Sequence, residues 1–545
     1  EDGIRDLVRS RGLGDVYKRQ LYTSSNRLWR TDDGGNSWER LSPDLTRADP
    51  ATLGHSGGPI TGDMNGPEVY ATIFSVGPGK VDQNVIWTGS DDGLVHVTRD
   101  GGETWTDVTP PDMPEFGRVS QIDASAFDAG KAYISVRKPL LDDFAPYIWK
   151  SDDYGATWTK IVDGIRDDAY VNAVREDHNR EGLLFAGTNH GVYVSYDDGA
   201  SWQELNMGLP DLPITNVVVE HNELAIATHG RGFWVLDNMA PIRQAEAGMT
   251  DEAVRLFDPP TAYRSADGVV LSYWLGDVPE QISLEVVDAS GEVVRTFEPE
   301  VEDDEEEGDR YTQQGMPVEQ GLNTLRWDLT ADGWTGFPRM ILWGVRTMAP
   351  TLPPGTYTLR LTADGQTEAS QVTIEPHPWI DGVTEADLVA QYEFGVEIRD
   401  QVERANQAVI AIRRMRTQVL DRMEESDDGE LEERLDELMA AASEVEADIY
   451  QVRNRSGQDP LNFPIKVNNR LANLLSMVDR GDGRPNDGMR EVFDIMVGRL
   501  DGYMERLQAV WDDELPAANE RLEELGMDPL DPWDEGTEIW APEGM

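Results

Sequence analysis

The chain contains no cysteine. That excludes disulfides, thiolate catalysis and Cys-ligated zinc or iron–sulfur centres, and it leaves the compartment open. Lysine is almost as scarce: it supplies 7 of the 47 basic residues and arginine the other 40. Against these stand 103 acidic residues, a formal charge of −56. A balance this negative argues against nucleic acid and anionic membrane as partners, because phosphate binding draws on Lys and Arg. No apolar run approaches the length a spanning helix needs, so no membrane span is expected. The 7 histidines are scattered without metal-ligand spacing. H-E-x-x-H, a Walker loop and a post-strand G-x-G-x-x-G are all missing, so neither a metal nor a cofactor is expected.

What is present points to several domains. The chain has 545 residues, room for roughly three or four domains. A hydrophobic fraction of 39% with 16 Trp and 16 Tyr is enough to build sizeable cores. Excess carboxylate with little lysine resembles the proteins of salt-loving organisms; an Arg-favouring GC-rich genome is the alternative. Residues 1–20 show no strand alternation that continues beyond Gln20, and Arg9-Ser-Arg-Gly-Leu-Gly-Asp-Val-Tyr-Lys-Arg-Gln20 resembles a translated sequencing adapter. This segment is expected to be non-native, with the true N-terminus missing and a signal peptide therefore not readable.

Four segments repeat: Thr31–Trp38, Thr98–Trp105, Ser151–Trp158 and Ser195–Trp202. Each fits [ST]-x-D-x-G-x-[ST]-W, with aspartates at Asp33, Asp100, Asp153 and Asp197 and tryptophans at Trp38, Trp105, Trp158 and Trp202. Strands flank each box, so it reads as a hairpin turn. The Asp accepts backbone N–H bonds, the Gly supplies a left-handed position, and the Trp packs beneath. This role is preferred to a catalytic one. With the strand pairs that precede the boxes, blades are expected at 21–45, 66–111, 119–163, 170–208 and 214–238, the first and last incomplete. The repeat is the Asp-box, or BNR, repeat of β-propellers. About five blades form an open arc, with further blades expected on the missing N-terminal side.

Ser56-Gly-Gly-Pro-Ile-Thr61, the stretch Trp87–Trp105 and Ala227-Thr-His-Gly-Arg-Gly-Phe-Trp-Val-Leu-Asp237 resemble a group of bacterial Asp-box, sortilin-N-terminal-like propeller proteins commonly labelled glycosyl hydrolase. The resemblance covers about 21–243 by residues and the remainder by domain order. It implies an exported, extracytoplasmic protein about twice this length. The hydrolase label derives from the repeat, which sialidases and xyloglucanases share, and does not define a site.

Residues 253–376 alternate in short strands with turn signals between them, the pattern of an Ig-like β-sandwich. The acidic run Glu300–Asp309 is expected to be a solvated loop without calcium-loop spacing. From 384 to 526 the period becomes helical. Thr384–Asp387 has the form of a capping box. Apolar seams run through Val402, Ala405, Val409 and Ile412; through Leu431, Leu435, Leu438, Ala442, Val445 and Ile449; through Val467, Leu471, Leu474 and Val478; and through Met489, Phe493, Met496 and Leu500. These predict an antiparallel α-helical bundle or coiled-coil hairpin, with a tail over 527–545. Arg413, Arg414 and Arg416 are expected to be solvated or paired with Glu.

Gly54-His-Ser-Gly-Gly58 fits G-x-S-x-G, but Pro59 comes at once where a nucleophile elbow needs a helix. Blade geometry offers a better candidate face. The turn between the second and third strands of a blade lies opposite the Asp box, which places Asn26, Arg27, Asp91, Asp92, Asp142, Asp143, Asn189, His190, His229 and Arg231 near the channel mouth. His229 beside Arg231 could bind an anion or simply orient its turn. Asp91/Asp92 and Asp142/Asp143 could do glycosidase work only if two carboxylates faced each other across a cleft; exposed turn aspartates are the preferred reading. Two functions remain: a module that binds protein, peptide or glycan, with Ig-like and helical domains as accessories, or a sialidase- or xyloglucanase-like glycoside hydrolase whose cleft lies partly on missing blades.

Overall fold

The structure, a computed structural model, describes residues 20–58, 60, 62, 69–246, 248–265, 267–300 and 311–541. The adapter-like segment before Gln20, the start of the second expected blade and most of the acidic run lie outside the described residues. The chain divides into two compact units, Glu1–Arg243 and Gln244–Met545.

The first unit is a propeller-like series of five antiparallel sheets, each wound outward in chain order. The first holds β1 (Leu21–Ser24), β2 (Leu28–Thr31) and β3 (Glu39–Arg40). The second holds β4 (Ile73–Pro78), β5 (Ile86–Ser90), β6 (Val95–Thr98) and β7 (Thr106–Asp107). The third runs β8 (Arg118–Ala124), β9 (Ala132–Arg137), β10 (Ile148–Ser151) and β11 (Thr159–Lys160). The fourth runs β12 (Val171–Glu176), β13 (Leu184–Thr188), β14 (Gly191–Ser195) and β15 (Gln203–Glu204). The fifth has β16 (Ile214–Glu220), β17 (Glu223–Thr228) and β18 (Phe233–Leu236). Alternating apolar residues bury each sheet against the next: Trp87 and Val97 meet Val119 and Ile122, Tyr133 and Ile148 meet Val174 and Leu184, and Phe185 and Val194 meet Val217 and Ile226.

The boxes are built as turns. In the second, Thr98 Oγ1 accepts from the Gly102 N–H at 2.9 Å and donates to Asp100 Oδ1 at 2.7 Å. Asp100 Oδ1 in turn accepts from the Thr104 N–H at 2.9 Å, and Oδ2 from the Thr104 hydroxyl at 2.5 Å. The same bonds recur around Asp33, Asp153 and Asp197. The fourth box position is left-handed in every repeat. It is Gly in the first two boxes (Gly34, Gly101) but Tyr154 and Asp198 in the others, both at φ 60°, so there a side chain tolerates a conformation that glycine adopts freely.

The box tryptophans reach further than the turn beneath them. Trp105 Nε1 donates to the Leu41 carbonyl at 3.0 Å, Trp158 to Val108 at 2.6 Å and Trp202 to Ile161 at 3.0 Å. Each bond ties a box to the outer rim of the preceding sheet. Among the described residues Trp38 finds no such bond, and it is 42% exposed, which departs from the expectation that every box Trp is packed.

The second unit joins two sheets to four helices. One sheet has the order β19 (Val254–Leu256), β21 (Val269–Leu275), β24 (Gly321–Trp327); the other β20 (Ala262–Tyr263), β26 (Gln366–Glu375), β25 (Gly355–Ala363), β22 (Ile282–Val287), β23 (Val293–Phe297). Leu271, Tyr273 and Trp327 from the first share a core with Leu284, Phe297 and Leu359 from the second. The helices are α1 (Glu385–Glu425), α2 (Gly429–Ile449), α3 (Val467–Val478) and α4 (Asp487–Glu524). The capping box forms, with the Asp387 N–H donating to Thr384 Oγ1 and the Thr384 N–H donating to Asp387 Oδ2. The four expected seams are buried or partly buried in one core. Arg413 and Arg416 both pair with the buried Glu446, at 2.8 and 3.0 Å. The irregular stretch after β24 inserts Trp334, Phe337 and Met340 into that helical core, so sheets and helices share contacts throughout this unit.

Candidate ligand-binding face

Strand direction fixes which side chains meet at the end opposite the Asp boxes. There the inner strands β4, β8, β12 and β16 begin, the second strands β5, β9, β13 and β17 end, and the turns between second and third strands lie. These turns carry the ten predicted residues, and the structure gives several of them a local role.

Asp91 and Asp92 are 7% and 1% exposed, so they are not the exposed turn aspartates expected from the sequence. Asp91 accepts from the Thr72 N–H at 2.8 Å and the Thr72 hydroxyl at 3.2 Å. Burial pushes its carboxyl above the ordinary range, the Thr72 bonds opposing this. Asp92 Oδ2 accepts from the backbone N–H groups of Arg47 and Ala48, while Oδ1 is buried and finds no partner among the described residues. Both carboxylates bracket the segment between the first two sheets. The physical reason is that Arg47 and Ala48, after β3, and Thr72, before β4, bring their backbone N–H groups to these two side chains.

Asp143 accepts from the Ala145 N–H and from the Tyr147 hydroxyl at 3.0 Å, and Asp142 is exposed. Asn26 donates to Asp44 at 2.7 Å beside half-buried Arg27. His190 Nδ1 lies 3.0 Å from Asp211, and the neighbouring Asn189 side-chain oxygen Oδ1 is buried and finds no partner among the described residues. His229 and Arg231 are exposed on the fifth sheet. Among the described residues no hydrogen bond or ion pair joins a predicted residue of one turn to a predicted residue of another, and no group of three His, Asp or Glu is placed to hold a metal ion. Gly54–Gly58 is exposed and lies in neither strand nor helix, so the G-x-S-x-G match has no elbow around it.

What the sequence did not reveal is a recurrent bulge. In β4, β8, β12 and β16 the register skips one residue near the strand start: Phe74, Ser120, Asn172 and Thr215. A bulge re-aims the extra side chain, and here it does so at one level in four successive sheets. Two arginines stand among these residues. Arg118 and Arg137 are partners across β8 and β9. The Arg118 guanidinium lies 4.8 Å from the centroid of the Phe74 ring, and Arg137 Nη1 donates to Asn172 Oδ1 at 2.6 Å. Asn172 donates onward to the Ile214 carbonyl at 2.8 Å, stitching the fourth sheet to the fifth. Phe144 lies 6.2 Å from Tyr170, which precedes β12. Burial lowers the Arg137 pKa, and Arg118 lowers it further by like-charge repulsion. Phe74 and Phe144 remain 47% and 45% exposed. The cluster is therefore cationic, aromatic and half-open in a chain of charge −56.

A second cleft of about 840 Å³ opens between the second and third sheets on the Asp-box side. Its wall is the third box itself, Asp153–Trp158, with Arg99 stacked 4.0 Å from the Tyr154 ring centroid. This cleft is the gap left where a box seats on its neighbour.

No protein-family model matches this chain, and no curated protein matches it. Solved structures do resemble it. YCF48 bound to D1 peptide is 18% identical, over 47% of this chain and 72% of that one, with a TM-score of 0.28. The GH74 xyloglucanase of Xanthomonas campestris is 16% identical, over 67% of this chain and 57% of that one, with a TM-score of 0.31. PorZ, a surface component of the type-IX secretion system of Porphyromonas gingivalis, is 13% identical, over 66% and 58%, with a TM-score of 0.21. At these values the likenesses carry no functional weight. No described helix is long and apolar enough to cross a membrane.

Proposed function

We propose that this chain is an exported recognition protein whose propeller-like sheets bind a protein, peptide or glycan ligand at the face opposite the Asp boxes, with the Ig-like and helical regions as accessory elements. The observation that carries this reading is the bulge ring: four sheets re-aim one inner-strand residue each at the same level, beside two arginines and exposed aromatic rings. Aromatic and arginine side chains are the usual anchors of recognition sites. The glycoside hydrolase alternative needs a pair of available carboxylates. Asp91 and Asp92 are engaged in holding backbone, and Asp143 holds its own turn. Of the four predicted carboxylates only Asp142 is exposed, which supports binding over a paired-carboxylate mechanism, and extracytoplasmic placement rests on the family resemblance.

The test probes glycan and peptide arrays with the full chain and with Phe74→Ala, alongside reducing-sugar release from xyloglucan. Retention of an array ligand, weakened by Phe74→Ala, is expected with no sugar release. Sustained hydrolysis by the purified chain would replace this reading with the enzymatic one.

A further inference from the structure

Ion pairing elsewhere in the chain sets a standard. With carboxylates outnumbering basic groups by more than two to one, buried arginines find acids: Arg413 meets Glu446 at 2.8 Å, Arg295 meets Asp332 at 3.5 Å and Arg264 meets Asp482, while half-buried Arg243 meets Asp177 at 2.9 Å. Arg118 and Arg137 depart from it. Both are half-buried, they neighbour each other across one strand pair, and neither forms a carboxylate ion pair among the described residues, although the charge of Arg118 is felt by the Asp91 carboxyl. Arg137 uses one donor, on the neutral oxygen of Asn172, and Arg118 rests on a ring face. Lys138, next in the chain, also lacks an ion pair among the described residues. Guanidinium does not relieve repulsion by losing its proton, since it stays charged at any ordinary pH. The fold thus holds like charges together in a partly dry place, an arrangement that an incoming anion would stabilise.

Resting on the reading of this face as a recognition surface, we infer that Arg118 and Arg137 form a carboxylate-binding site for a peptide segment whose acidic group is flanked by apolar side chains. Carboxylate suits the fork geometry of guanidinium, which offers two parallel N–H donors to two oxygens. The field of a −56 chain repels polyanions but leaves a single carboxylate free to enter a local cationic spot. The surroundings favour peptide over sugar. The loop after Arg137 presents Leu140 at 84% and Leu141 at 58% exposure, then Phe144 and its neighbour Tyr170. Aliphatic surface of this kind has apolar side chains as its natural partner and offers nothing to sugar hydroxyls. The acid can be a Glu or Asp side chain or a chain terminus, since the arginines read only the carboxylate.

The test titrates the full chain by calorimetry with three short leucine- and phenylalanine-containing peptides. One carries an internal glutamate with both ends capped, one a glutamine in its place with both ends capped, and one that glutamine with a free C-terminal carboxylate. Either or both carboxylate peptides bind, which identifies the source of the acid, and the fully neutral peptide does not. Arg118→Gln and Arg137→Gln each weaken binding by ~10-fold or more, about 1.4 kcal/mol. Without ligand, each variant keeps its fold, because relief of like-charge repulsion offsets the loss of one contact, the Phe74 ring for Arg118 or the Asn172 bond for Arg137. A folded arginine variant that binds the carboxylate peptides as tightly as the parent would overturn the proposal. So would binding of none of the peptides, equal binding of the neutral one, or binding of polygalacturonate in their place. If Phe74→Ala abolishes peptide binding while the arginine variants bind normally, the carboxylate site falls and the recognition face stands. If peptides bind and all three variants bind as the parent does, both fall.

Discussion

The indole N–H of Trp202 donates to the carbonyl oxygen of Ile161 at 3.0 Å, 41 residues back and one sheet earlier. The same bond recurs for Trp105 and Trp158, so the box Trp is an inter-sheet clamp as much as a floor for its own turn. Among the described residues Trp38, at the first sheet, finds no such partner and is 42% exposed. Trp202→Ala should therefore cost about 3–5 kcal/mol, as removal of a buried large aromatic does, and Trp38→Ala about 1 kcal/mol or less. Denaturant unfolding of the two variants checks the contrast; equal losses would show that the clamp contributes nothing.

The box aspartates give the unit an acid limit. Hydrogen bonds from Ser37 hold the Asp33 carboxyl down to about 2, and those from Thr104 do the same for Asp100. Asp153 is lowered mainly by the Thr157 N–H; for Asp197, burial opposes but the Ser201 bonds prevail. A carboxyl whose folded pKa lies below its unfolded one contributes stability above the unfolded value, near 4, and loses it as pH falls toward the folded value. Asp91 and Asp479, raised by burial, act with the opposite sign. Melting temperature should fall between about pH 4 and pH 2, and Asp100→Asn should flatten that slope while lowering the plateau. A profile unchanged by Asp100→Asn would contradict the capping role.

Strand pairs and boxes were legible because each repeat restates them. The seams of Leu431, Leu435 and Leu438 were legible for the same reason: periodicity is a property of the sequence itself. The bulges at Phe74, Ser120, Asn172 and Thr215 were not, because a bulge is a relation of register between two strands and carries no fixed residue type. Arg118 and Arg137 were hidden likewise, each reading as an ordinary strand end. The bonds that hold Asp92 and Asp91 come from Arg47, 45 residues away in sequence, and Thr72, 19 away. Trp334 and Phe337 enter the helical core from an irregular stretch that has no period to read.

In the second unit, Glu446 is 1% exposed and is the carboxylate shared by Arg413 and Arg416. Arg413 also lies 4.7 Å from the Phe337 ring centroid. Glu446→Ala leaves Arg413 buried without its counterion, a loss of about 3–5 kcal/mol. Helical circular dichroism through a urea titration checks this; a midpoint equal to the parent's would show that the pair is dispensable.

Charge should dominate the response to salt. At −56 the folded chain repels itself, and screening shortens the reach of that repulsion from about 10 Å at 0.1 M to about 3 Å near 1 M. Melting temperature should rise steadily from low to molar chloride, more than for a chain of balanced charge. A flat or falling midpoint would remove the salt-adapted reading and leave genome composition to explain the scarcity of lysine.

Hydrogen–deuterium exchange with a bound array ligand tests most directly where recognition occurs. Slowed exchange is expected at residues 70–76, 116–122, 135–147 and 168–174, the inner-strand starts and second-strand ends around Phe74, Arg118, Arg137 and Asn172, with the box turns at 31–38, 98–105, 151–158 and 195–202 unchanged. Protection confined to the box turns, or to helices α1–α4, would contradict recognition at this face.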